Sequence, residues 1–114
     1  MAIEQTPAGE ETPIACKLTG AERAERGDTV KNLFDETEEV RELDDGYAFR
    51  FSGSDAMAPR LLEFTLEERR CCPFFTFELV FTPNEGHIWV HLRGSEAIKE
   101  FVASAWGRVI SARA

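Results

Sequence analysis

Two short stretches of alternating apolar residues, each folded back by a turn, constrain this chain more than any other feature. Val40 to Leu43 and Tyr47 to Phe51 flank Asp45-Gly46, the preferred dipeptide of a two-residue hairpin loop. Tyr47, Phe49 and Phe51 then share one face of a strand, with Ala48 and Arg50 on the other. Farther along, the β-prone run Phe74 to Phe81 places Phe75, Phe77, Leu79 and Phe81 on one face. The loop Thr82-Pro83-Asn84-Glu85-Gly86 returns the chain into a strand from His87 to Leu92, which closes a second hairpin.

Helical segments separate and flank these hairpins. Thr19 followed by Glu22 forms a capping box for a helix reaching about Glu36, with Gly27-Asp28 as the place where it would break or kink. Ser54 or Asp55 caps a second helix running to about Arg70; Pro59 is tolerated in its first turn and Pro73 limits its extension. Ser95 caps a last helix carrying Ile98, Phe101, Val102, Ala105 and Val109 on one side. The order predicts an α+β two-layer sandwich, α-β-β-α-β-β-α. Two hairpins form one four-stranded antiparallel sheet, with three helices over one face. Residues 1–13, with Glu4, Glu10 and Glu11 and no positive charge, read as a flexible acidic tail before a single domain over 14–114.

At 114 residues, 43% hydrophobic and 30% charged, the chain supports one domain with a genuine core, folding alone or as a small homodimer. Its net charge of −8 repels phosphate backbones and anionic lipid surfaces, so no nucleic-acid or membrane partner is expected. No apolar run approaches a membrane span, and the first residues have neither a basic start nor an apolar segment, which leaves a cytoplasmic location by default.

The three cysteines are too few for a disulfide scaffold, and two of them, Cys71 and Cys72, are adjacent. A helical wheel from Met57 to Cys72 sets Met57, Leu61, Phe64, Cys71 and Cys72 on one arc, with Glu68 inside it. A carboxylate in an apolar stripe is costly to bury unless it is paired, hydrogen-bonded or bound to a cation. One carboxylate and two sulfurs therefore line one short patch, provided the helix persists. Thiolates are soft ligands for Cu(I), Zn(II), Hg(II) or As(III). Adjacent cysteines on regular backbone diverge, so a third donor is needed, and Cys16 is the available one; without a C-x-x-C motif, a structural zinc site fits poorly. Arg69 and Arg70 would raise the thiolate fraction. Each feature also has a plainer reading. Cysteines fill cores, and Glu68 can be satisfied by Arg60, Arg69 or Arg93. The arginines suit a helix C-terminus, and Trp89 and Trp106 suit a core or an interface. His87 and His91 share a face with Trp89; they can ligate a metal or act as bases, or simply form a solvated or partner-binding row.

The run Glu68-Arg69-Arg70-Cys71-Cys72-Pro73-Phe74 resembles a family of small, largely uncharacterised bacterial proteins sharing Glu-Arg-x-Cys-Cys-Pro-Phe. The similarity extends to Cys16-Lys17-Leu18, to Asp45 through Phe51 and to Leu92-Arg93-Gly94. That family is associated with heavy-metal-responsive gene neighbourhoods, which implies a soft-metal role, with Cys16, Glu68, Cys71 and Cys72 as the functional set. Three readings follow. The first is thiolate-based binding of a thiophilic metal or metalloid ion by Cys71, Cys72 and Cys16, for sequestration, transfer or resistance, with Glu68 as an orienting group or weak ligand. The second is a thiol-dependent enzyme in which Glu68, Cys71 and Cys72 are catalytic, in carbon–metal protonolysis or thiol reduction. The third is an interaction protein whose cysteines are structural.

Overall fold

The strand with the strictest alternation takes a central place in the sheet. In β4 (Ile88–Arg93) every second residue is buried, with Ile88, Val90 and Leu92 at 2%, 0% and 0% exposure. It lies between β2 (Gly46–Phe51) and β3 (Thr76–Phe81), and β1 (Glu39–Leu43) completes an antiparallel sheet of order β1-β2-β4-β3. The structure, a computed structural model, describes residues 20–114, with side chains from Gly27 onward. The expected tail, the Thr19–Glu22 capping box and Cys16 lie outside that description.

Register explains which residues make the core. Phe49 is opposite both Val40 and Val90, and Phe51 is opposite Ile88, so the apolar sets of three strands fall on one face. Helices α1 (Gly20–Phe34), α2 (Met57–Cys71), α3 (Glu96–Ala105) and α4 (Gly107–Arg113) supply the second layer on that face. Phe34 of α1 sits 5.1 Å from Phe49, 5.3 Å from Phe51 and 5.0 Å from Phe64 of α2, with steep interplanar angles. Burying each such ring contributes about 1.5–3 kcal/mol. Among the described residues, no helix is long and apolar enough to cross a membrane.

The expected α+β class with a four-stranded antiparallel sheet is what the chain adopts; several details differ. There are four helices in the described chain instead of the three expected, because the last one breaks at Trp106 (φ −109°, ψ 21°). Trp106 is 7% exposed and packs on Phe34, Phe49 and Phe75, while the following Gly107 gives helix little intrinsic support. Burial of the indole wins over helical continuity. Conversely, α1 runs unbroken through Gly27-Asp28.

The turns also shift. The first hairpin pairs Leu43 with Gly46, so its two loop residues are Asp44 and Asp45, and Gly46 belongs to β2. Glycine is required there by close approach: a Cβ would stand 1.9 Å from the Leu92 carbonyl oxygen of β4. In the second loop, positive φ falls on Asn84 (60°) and Glu85 (55°), ahead of Gly86. Ser95 caps α3 as the sequence predicts, accepting from the Ile98 N–H at 3.3 Å. At α2 the expected cap, Ser54 or Asp55, gives way to Ala56, which has no capping side chain, and Ser54 instead accepts from the Met57 N–H at 3.2 Å from the turn before the helix.

Candidate functional site: the paired cysteines at the end of α2

Helix α2 earns its place through one stripe. Its buried residues are Met57, Leu61, Phe64, Glu68 and Cys71, the arc that the wheel selects. Glu68 is 6% exposed, one of two buried polar or charged residues among those described, the other being Thr37. Two of the cations available to it by sequence are engaged elsewhere: Arg60 pairs with Glu36 at 2.9 Å, and Arg93 pairs with Asp45 at 2.6 Å and Glu78 at 2.8 Å. Arg69 and Arg70 are exposed, and Arg70 lies with Pro59, Leu62 and Leu66 along a shallow groove on the outer side of α2.

Regular helix ends between the two cysteines. The Cys72 N–H still donates to the Glu68 carbonyl at 2.6 Å, but Cys72 itself adopts φ −129°, ψ 76°. Cys71 is thus the last helical residue and Cys72 the first beyond it. The sequence expectation that adjacent cysteines diverge assumes regular backbone; here Cys72 has left it, and its φ of −129° turns the second side chain out of the helical direction. The two Sγ atoms stand 3.4 Å apart, and the residues are 5% and 6% exposed. A bonded pair would be about 2.05 Å apart, so this is a contact between two sulfurs and not a vicinal disulfide.

Aromatic packing holds this junction. After Pro73, Phe74 and Phe75 both turn inward, 4.9 Å from each other, and Phe101 of α3 lies 5.5 Å from Phe74 and 6.0 Å from Phe75. Phe75 also reaches Trp106 at 6.0 Å. The expected strand from Phe74 therefore begins at Thr76 instead, because two consecutive buried rings are incompatible with alternation. The consequence for the site is rigidity: the loop after the cysteines is pinned at two successive positions.

The histidines fall on the other side of the molecule. His91, Trp89 and Arg93 project from the sheet face opposite the helices, with His87 just before β4. His91 Nδ1 is 2.8 Å from Glu78 Oε1, and His87 Nε2 is 3.4 Å from Glu38 Oε1. Arg93, then His91, by their hydrogen bonds, hold the Glu78 carboxyl below its ordinary value. Arg41 stacks over the Trp89 ring at 4.9 Å. This face is a lattice of ion pairs, and the sheet separates it from the thiols. The sequence singled out His91 but gave no sign of Glu78 as its partner, since the two meet only through the β3·β4 register.

Among the described residues, no three His, Cys, Asp or Glu side chains come together as a set able to hold a metal ion. Cys71 and Cys72 supply two donors side by side; the third expected donor, Cys16, lies outside the described residues. What the arrangement offers chemically is a preformed, water-poor dithiol with a buried carboxylate one helical turn before it. Comparison with protein-family models, with curated proteins and with solved structures finds no match for this chain.

Proposed function

We propose that the chain binds a thiophilic metal or metalloid ion through Cys71 and Cys72, for sequestration, transfer or resistance. The observation that carries the reading is the 3.4 Å separation of the two sulfurs at a helix end whose geometry turns them toward each other. Two sulfurs that far apart, each about 2.3 Å from a shared ion, subtend roughly 95° at it. That bite suits a pyramidal ion such as As(III) better than the linear geometry that Hg(II) or Cu(I) adopts with two thiolates. Cys16 would be the third thiolate, and the Glu68 carboxylate, buried one turn before the pair, would be an orienting group or weak ligand. The resemblance at the Cys-Cys-Pro-Phe run points the same way. The net charge of −8 would favour the cationic candidates, Hg(II), Cu(I) and Zn(II), and is indifferent to As(III), which is neutral arsenous acid at pH 7.

Native mass spectrometry of the reduced protein with As(III), Hg(II), Cu(I) and Zn(II) tests this. One ion per chain is expected, with As(III) retained through the two sulfurs. The Cys71→Ser/Cys72→Ser variant should lose the ion; unchanged binding would sink the reading.

A second reading rests on the burial of Glu68 at 6% exposure. A carboxylic acid kept from water beside two thiolates is equipped for protonolysis of a carbon–metal bond. The thiolates take the metal, the acid gives its proton to the departing carbon, and a carboxylate remains. Glu68→Gln separates the two ideas, since it would abolish turnover of an organometallic substrate while changing ion affinity only modestly. The plainer structural reading is separated by kinetics. Slow, partial labelling of folded protein by a thiol reagent would favour core cysteines, and rapid labelling of one cysteine would favour a working site.

A further inference from the structure

The two edges of the sheet are finished differently. Along β1, Glu39, Arg41 and Glu42 place charges on the outer strand, a common protection against pairing with another chain. At the opposite edge, β3 has the sequence Thr-Phe-Glu-Leu-Val-Phe, with no proline and no lysine, and its outer edge pairs with nothing among the described residues. Phe77, Leu79 and Phe81 lie on the helical face, opposite Leu92, Val90 and Ile88 of β4. Whereas those β4 residues are fully covered, Phe77 and Leu79 are half-buried and Phe81 is 60% exposed; Val80, on the other face, is 38% exposed. Among the described residues, the helical layer covers this strand only in part, reaching Phe77 and Leu79 and leaving Phe81 open. Its single charge, Glu78, is drawn inward by Arg93 and His91.

We infer that β3 pairs with β3 of a second copy of this chain, antiparallel about a two-fold axis through Leu79. The strand itself selects that occupant. In antiparallel pairing, directly opposite residues share a face, so the axis must pass through a residue and not between two. Near the middle of the strand that leaves Glu78 or Leu79. An axis at Glu78 opposes two carboxylates. An axis at Leu79 makes the strand read as its own complement: Leu79 meets Leu79, Phe77 meets Phe81 of the second copy, and Glu78 meets Val80. Both helical layers then lie on one side of a continuous sheet, the exposed rings of β3 close over one another, and about four to six backbone hydrogen bonds form. No like charges are directly opposed. The pairing does not depend on the cysteines.

Sedimentation equilibrium of the full-length chain is the test, with far-UV circular dichroism to verify folding. A reversible dimer is expected at tens of micromolar protein. Val80 is exposed, so substitutions there leave the core intact, and the register makes opposite predictions for opposite charges. Val80→Glu faces Glu78 of the second copy twice across the axis and should raise the dissociation constant at least tenfold. Val80→Lys faces the same carboxylates and should leave it equal or lower. A full-length chain that stays monomeric at several hundred micromolar would overturn the inference. Such a monomer would mean that residues 1–19 or a different protein covers the strand. Equal weakening by both substitutions would also overturn it, because it would place the contact in another register or at another surface.

Discussion

The two clusters of candidate ligands in this protein, the cysteines at the end of α2 and the histidines beside Trp89, have opposite surroundings. Cys71 and Cys72 are at most 6% exposed and belong to the same buried core as Phe74 and Phe75. His91 and His87 stand on the far face of the sheet, each against a carboxylate that competes with any metal. The difference teaches that residue type nominates a ligand, but the side of the sheet it projects from decides whether it is kept from water or set among exposed charges. A dithiol kept from water is the arrangement on which the proposed binding of a soft ion rests. A histidine that already contacts Glu78 would have to give up that interaction first.

The largest effect expected from breaking this contrast lies beneath the cysteines. Phe75→Ala should destabilise the fold by about 3–5 kcal/mol, as for other buried rings. Trp89→Ala, on the half-buried histidine face, should cost less than half of that, about 1–2 kcal/mol. Urea denaturation of both variants measures the pair, and equal costs would mean that the two faces are packed alike. Next comes ligand affinity. Cys71→Ser/Cys72→Ser should weaken As(III) binding at least 100-fold, about 2.7 kcal/mol. His87→Ala/His91→Ala should leave it within about twofold. A large loss in the histidine variant would erase the distinction drawn between the two clusters.

Smaller still is the acid response of the histidine face. Glu78 has its pKa lowered from 4.5 by hydrogen bonds from Arg93 and His91. A depressed carboxyl contributes stability that is complete above the unfolded value and is lost as pH falls through the folded one. Unfolding free energy should therefore drop between about pH 5 and 3, by less than about 1 kcal/mol from this group, since the cluster is largely exposed. Glu78→Gln should flatten that part of the profile, whereas the cysteine variants should leave its shape unchanged. Last, His87→Ala alone should alter stability by no more than about 0.5 kcal/mol.

Much of this arrangement is legible in the residues. The stripe Met57, Leu61, Phe64, Glu68 and Cys71 follows from helical spacing alone, and Ile88, Val90 and Leu92 follow from alternation. Such periods are local, and the core needs only their sum. What the residues leave open are the places where a local preference loses to packing. Asp45-Gly46 has the composition of a turn, yet Gly46 is drawn into β2 because β4 passes too close for any side chain. The i, i+3, i+4 spacing past Phe101 continues to Val109, yet the helix breaks so that Trp106 can join Phe34 and Phe49. At the candidate site, the neighbouring cysteines are plain in the sequence. Their convergence is not, because it depends on where regular helix ends, and Cys72 is the first residue with non-helical backbone, at φ −129°.

By itself, then, the sequence determined the class of fold, the buried face of each central element and the identity of the residues with sulfur chemistry to offer, since each is a matter of local period or residue type. Tertiary structure alone decided that the two sulfurs meet at 3.4 Å and that the histidines face away from them. It also left β3 as an apolar edge. Those outcomes depend on which strands pair, in what register, and how far the helices reach across the sheet, and no local rule carries that information.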